Sequence, residues 1–262
     1  MTVLLHYGEY LSGSEEAFVQ KMNERAKELG MNDTNFVNCH GIDADGHVTS
    51  AYDISLMSRE LLLNHPNVIE YSTIYMDTLR DGKSQLVNTN KLLRTYNGCT
   101  GLKTGSTDLA LYNLSASATR DNLSLIAVIM HAPSTAIRFA EAKSLLDYGF
   151  ANYSCVSFGN KGDMVSTVIV EKGVEKTVNA IFNSSASVLI KKGFEKNVIQ
   201  NLQIEDSILA PVTEGQKIGS ATFQLDDKII ANIDIVAEAS VDKANIFSIS
   251  NNLYKKWFNL IR

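Results

Sequence analysis

The residues best suited to chemistry stand in a row, Lys103-Thr104-Gly105. A lysine ammonium and a threonine hydroxyl side by side are donors for a carboxylate. If they sit on an extended strand, its edge can also pair with a peptide backbone. A glycine inside such a strand often marks close approach by another backbone or a ligand. The bare triplet has a plainer reading, a surface lysine beside a turn. At average composition it recurs by chance in roughly one chain of this size in twenty. No other chemistry competes with it. The five histidines form no metal-binding pattern, and His40, before a glycine in a loop-like stretch, reads as structural. The three cysteines, Cys39, Cys99 and Cys155, are widely spaced with no Cys-x-x-Cys, so neither a zinc site nor a disulfide framework is expected. No metal or cofactor is expected.

The surrounding pattern predicts elements that would position the triplet. Residues 111–118 alternate apolar and small polar side chains, and residues 123–130 form a nearly continuous apolar run, as in a strand buried on both faces. Thr119-Arg120-Asp121-Asn122 between them is a turn signal. Lys103 would then lie on the first of three antiparallel strands, followed by a helix over 134–148. Upstream, Val3, Leu4, Tyr7 and Leu11 share a helix face, and Ser14 caps a helix carrying Phe18, Met22, Ala26 and Leu29, with Gly30 as its stop. Ser50 caps a helix over 51–63, with Asp53 as its capping-box partner and Ile54, Met57 and Leu61 facing inward. A short helix near 66–71 and a hairpin across Asp81-Gly82 lead to the 88–93 loop.

Several longer stretches resemble serine-type D-alanyl-D-alanine carboxypeptidases, the low-molecular-mass penicillin-binding proteins. They are the runs beginning at Asn88-Thr89-Asn90, Gly101-Leu102-Lys103, Arg138-Phe139-Ala140 and Leu145-Leu146-Asp147, with His40-Gly41-Ile42-Asp43 and Thr49-Ser50-Ala51 upstream. The resemblance runs in register from about residue 9 to 150 and more loosely to about 240. It implies an α/β fold, part of a β-lactamase/penicillin-binding-protein-like transpeptidase domain, that removes the terminal D-alanine of peptidoglycan stem peptides through an acyl-enzyme. It also implies that β-lactams bind, and that Lys103, Thr104 and Gly105 are substrate-binding. In that family Lys-Thr-Gly is joined by Ser-x-x-Lys, which holds the nucleophile and its base, and by Ser-x-Asn. No Ser-x-x-Lys lies upstream of Lys103. The expectation is therefore a chain that begins after both motifs, with no catalytic serine or base lysine of its own, and that is inactive alone. Leu109 and Leu111 also depart from the family, which has an acidic residue and a glycine there; Leu111 is expected to crowd the strand pair.

Composition narrows the rest. The 262 residues are 45% hydrophobic and 20% charged, enough for a folded core. A net charge of −5 gives no footprint for nucleic acid. The first residues do not read as an export signal, and no apolar run of about eighteen residues occurs. Helical periodicity stops near residue 152, and short strands punctuated by glycine follow (164–171, 187–191, 198–204, 221–225 and 229–237). The expected organisation is an incomplete catalytic domain over 1–151, a small all-β domain over 152–241 and an amphipathic helix over 242–262. In that helix Ile246, Ile249, Leu253, Trp257, Leu260 and Ile261 recur at helical spacing beside Lys255, Lys256 and Arg262, as in a peripheral membrane anchor. The resemblance places the protein on the extracytoplasmic face of the bacterial membrane. The alternative is a non-catalytic envelope protein that keeps the carboxylate-binding strand for interaction. A β-lactamase relative fits less well, because of the β-rich segment after residue 152.

Overall fold

The structure is a computed structural model that describes residues 2–246. Chain contacts divide it into two units, residues 1–152 and the residues from 153 onward.

The first unit opens with α1 (Thr2–Ser12) and α2 (Glu15–Glu28). Ser14 Oγ accepts the Ala17 amide proton at 3.1 Å and caps α2 as its sequence predicts. The apolar stripe of α1 is not buried: Val3, Leu4, Tyr7 and Leu11 are all exposed, and only Gly8 is covered, against the Phe18 ring. On α2, likewise, only Ala26 of the expected stripe is fully buried. A loop leads to α3 (Ala51–Asn64), capped by Ser50 Oγ accepting from Asp53 N at 3.2 Å. The expected reciprocal half of the capping box is replaced by a tertiary contact. The buried Asp53 carboxylate accepts from Asp33 N at 2.8 Å and Thr34 Oγ1 at 2.6 Å, tying the loop to the helix. Next come α4 (Val68–Ser72), the hairpin β1 (Met76–Leu79) and β2 (Ser84–Val87), and the single turn α5 (Leu92–Thr95).

The centre of the unit is an antiparallel sheet in the order β3 (Cys99–Thr107), β4 (Leu111–Arg120), β5 (Leu123–Ala132). Asp121 and Asn122, with φ of 47° and 62°, make the tight turn between β4 and β5. α6 (Thr135–Asn152) packs along β5 and β4. Leu123, Ala127 and Ile129 are buried, whereas Ile126, Val128 and Met130 are half-buried. The run 123–130 is thus sealed on one face and partly open on the other, where the sequence suggested burial on both.

The second unit is all-β among the described residues apart from the single turn Glu195–Asn197. Its strands are β6 (Tyr153–Gly159), β7 (Met164–Glu171), β8 (Thr177–Phe182), β9 (Ala186–Lys191), β10 (Ile199–Ile204), β11 (Ser207–Leu209), β12 (Lys217–Leu225) and β13 (Lys228–Ala237). Six pair in the order β10-β12-β13-β8-β7-β11, and β6 pairs with β9. Alternate residues from both sheets meet in one core that includes Val168, Phe182, Val188, Ile190, Phe223 and Ile235. The strands β6, β8 and β11 are additions to those expected from the sequence. The amphipathic helix expected over 242–262 falls almost wholly on residues 247–262, outside the described residues.

Candidate functional site

Lys103 lies in mid-strand on β3, and β3 pairs only with β4 among the described residues, which leaves its other edge free. Side chains alternate along a strand, so Lys103 and Thr104 leave opposite faces of the sheet. Lys103 is in register with Ser115 and Thr104 with Leu114. A ligand can therefore touch both the Lys103 ammonium and the Thr104 hydroxyl only by sitting around the free edge of β3. That edge borders a cleft of about 890 Å³ lined by α3, β3, β4, β5 and the loop that carries His40.

On the Lys103 face, α3 supplies Ile54, Met57 and Leu61 to the wall. These residues were expected to face inward; Met57 is exposed and the others are half-buried, because what they face is the cleft. The Lys103 ammonium is exposed and turns back onto the carbonyl of Thr104. Thr104 is buried, and its hydroxyl meets that of Thr89 at 2.6 Å. At Gly105 the backbone is ordinary, and a Cβ would meet nothing within 4 Å.

Arg138, which the sequence marks only as part of the family resemblance, is a charged group with a structural role at the cleft. It is 5% exposed, on the buried side of α6. Its guanidinium donates to Asn113 O at 3.0 Å and more distantly to Gly105 O at 3.4 Å, bracing β3 against β4 where the triplet ends. Among the described residues its Nε is buried without a hydrogen-bond partner, and desolvation holds its pKa below the usual arginine value. The signal for it was present: Arg138, Ala142, Leu146 and Gly149 share one helix face, and an arginine in an apolar stripe needs a reason.

The cleft rim is fixed by Asp43, whose carboxylate accepts from Thr107 Oγ1 at 2.6 Å and Leu109 N at 3.2 Å. His40 Nδ1 accepts the Ile42 amide proton at 3.3 Å, which leaves the ring proton on Nε2, and His40 shapes the loop. The His47 pKa is lowered by burial and, to a lesser degree, by His40. Leu111 sits at φ 53°, a left-handed backbone that a glycine would adopt without strain. Burial raises the thiol pKa of Cys39 and of Cys99, which keeps both in the unreactive protonated form.

Of the cleft serines, Ser58 and Ser115 bond to each other and Ser58 also to the Ile54 carbonyl, and among the described residues no lysine is hydrogen-bonded to a serine hydroxyl. One Ser-x-x-Lys does occur far downstream, Ser240 to Lys243. It is in extended backbone of the second unit, and Ser240 Oγ accepts from Glu214 N. Its side chains do not share a helical face.

Residues 6–134 match the family model described as D-alanyl-D-alanine carboxypeptidase, and residues 153–243 match that of the penicillin-binding protein 5 C-terminal domain. The chain belongs to the D-alanyl-D-alanine carboxypeptidase family, the low-molecular-mass penicillin-binding proteins. Its relatives in that family include D-alanyl-D-alanine carboxypeptidase DacF of Bacillus subtilis, 36% identical over 253 residues, which cover 95% of this chain and 65% of that one. DacC of Escherichia coli is 34% identical over 91% of this chain and 60% of its own length. The chain thus spans between 60% and 65% of the length of these curated relatives. Penicillin-binding protein 5 of Haemophilus influenzae superposes with a TM-score of 0.71 at 30% identity, over 91% of this chain and 70% of that one. The α/β penicillin-binding-protein fold inferred for the first unit is therefore the one observed.

Proposed function

We propose that this chain carries the carboxylate-recognition side of a D-Ala-D-Ala carboxypeptidase site for peptidoglycan stem peptides. The reading rests on one observation: Lys103 and Thr104 flank the free edge of β3 beside an open cleft. A stem peptide would lie extended along that edge, as peptides add to sheets. Its terminal carboxylate would take the Lys103 ammonium from one face and the Thr104 hydroxyl from the other. Cleavage requires a serine oxygen to attack the penultimate D-alanine carbonyl, expel D-alanine and form an ester that water then hydrolyses. A serine hydroxyl needs an adjacent base for that attack, and residues 1–102 contain no Ser-x-x-Lys to supply the pair. In this reading residues 1–262 bind the peptide and do not cleave it. Penicillin-binding protein D2 of Listeria monocytogenes, 35% identical with a TM-score of 0.52, is solved in a cefotaxime-bound form. By that likeness β-lactams are ligands here too. The substrate puts the site of action on the extracytoplasmic face of the membrane; among the described residues no helix is long and apolar enough to cross one. Peripheral contact through residues 242–262 belongs to the same proposal.

The test titrates the 262-residue chain with diacetyl-L-Lys-D-Ala-D-Ala and with its C-terminal amide, followed by NMR. The acid should bind better, and Lys103→Ala should weaken it by about tenfold or more, as for a charge-assisted bond. Equal binding of acid and amide would refute the carboxylate site. Incubation with fluorescent penicillin should label nothing; a labelled serine mapped by mass spectrometry would show that the chain is an enzyme by itself.

A further inference from the structure

We propose that Thr89 is a positioning residue for the bound carboxylate, acting through the hydroxyl of Thr104. The proposal rests on the carboxylate site described above. Among the described residues, the Thr104 side chain makes one hydrogen bond, to Thr89 Oγ1 at 2.6 Å, and either oxygen can donate in it. Each hydroxyl has one proton and two lone pairs. If Thr104 donates to Thr89, it offers an incoming anion only lone pairs. If Thr89 donates to Thr104, the Thr104 proton is free to point into the cleft. A carboxylate accepts only, so its arrival selects the second order and sets up a chain from Thr89 to Thr104 to the anion. Hydrogen bonds in such a chain polarise one another.

Thr89 is held in place for this by its neighbours on both sides. Asn88 Nδ2 donates to Ile74 O at 3.0 Å, and Asn88 Oδ1 accepts from Asn90 N at 2.9 Å. The side chain of Asn90, 1% exposed, donates to Gly101 O at 3.0 Å and accepts from Leu92 N at 3.2 Å. The Asn90–Gly101 bond ties the Thr89 loop to β3 itself, on the strand that carries Thr104. Thr89 is itself solvent-exposed at the cleft wall. Removing its hydroxyl therefore leaves the packing of the unit intact.

The experiment uses the 262-residue chain, the same acid and amide peptides, and NMR titration. Thr89→Val should weaken binding of the acid about threefold to tenfold, the range for one hydrogen bond, and leave the amide unchanged. Thr89→Ser should restore the acid affinity. In a Thr104→Val background, Thr89→Val should add nothing. Thr89→Ala repeats the measurement should valine disturb the fold. The proposal is overturned if acid affinity is unchanged, if acid and amide lose equally, or if the two threonine substitutions are additive. If the unsubstituted chain does not distinguish acid from amide, the carboxylate site itself is wrong, and this proposal falls with it. If it does distinguish them and Thr89→Val has no effect, this proposal alone fails.

Discussion

The hydroxyls of Ser58 on α3 and Ser115 on β4 meet at 2.7 Å in the buried wall of the cleft, and their proton order is fixed. Ser58 Oγ also lies 2.7 Å from the Ile54 carbonyl, which can only accept, so the Ser58 proton goes there. Ser115 must then donate to Ser58. Ser58→Ala should cost about 1–3 kcal/mol, because it strands a buried donor on Ser115. Ser115→Ala should cost less, since the Ser58 proton keeps its carbonyl. The double variant should be less destabilised than the sum of the two. Urea unfolding followed through NMR signals of the first unit measures the cycle, and additivity would show that the hydroxyls are not coupled.

Asp53 is the anchor of the loop that forms the cleft rim. Both donors, from residues 33 and 34, meet the same carboxylate oxygen, and an amide side chain keeps an oxygen there but loses the charge that strengthens both bonds. Asp53→Asn should destabilise the first unit by about 1–3 kcal/mol and speed amide exchange at residues 33–36. Unchanged exchange there would mean that the loop is held by other contacts, such as Asn23 to Phe36 at 2.7 Å.

Arg138 separates stability from local order. Burying a charge without a counter-ion is costly, so Arg138→Met, which keeps most of the volume, should change stability by no more than about 1 kcal/mol in either direction. The same substitution removes the donor that braces Asn113 O and Gly105 O. Amide exchange should therefore rise at residues 105–107 and 113, while the far end of β4 stays protected. A uniform rise along β4 would assign Arg138 to the core in general.

Tyr96 gives the first unit an alkaline limit. Its hydroxyl donates to Asp147 Oδ1 at 2.9 Å, and burial followed by that bond pushes its pKa up to about 12, from an ordinary 10.0. A raised pKa in the folded state means that the associated stability is complete below pH 10 and is lost as pH climbs from 10 towards 12. Melting temperatures across that window should fall more steeply for the unsubstituted chain than for Tyr96→Phe. Parallel curves would place the alkaline sensitivity elsewhere.

The parts of this fold that announce themselves in sequence are those governed by local periodicity. The strands of residues 111–118 and 123–130, the turn at Asp121-Asn122 and the caps Ser14 and Ser50 all depend on near neighbours. The site's finer structure depends on partners far away in the chain: Ser58 on Ser115, Asp43 on Thr107, Arg138 on Gly105. A serine in a helix or an asparagine before a turn looks ordinary until its partner is known. β8 is a different kind of miss. Val178, Ala180 and Phe182 alternate as a buried strand should, but Asn179 within the run and the Asn183-Ser184-Ser185 turn that follows read as loop.

Gly105 marks where two demands on the same tripeptide separate. A side chain at Gly98 would strike the Thr119 carbonyl oxygen at 2.4 Å, and one at Gly219 that of Gln203 at 2.5 Å, so the fold itself forbids them. At Gly105 the fold is indifferent. Strand interiors generally favour alanine over glycine, so Gly105→Ala should melt no lower than the parent chain. The methyl would nonetheless stand on the strand where the peptide is proposed to lie, and affinity for the D-Ala-D-Ala acid should drop. Whatever keeps residue 105 bare then comes from outside the polypeptide, and a stability screen would pass a variant that has lost its ligand.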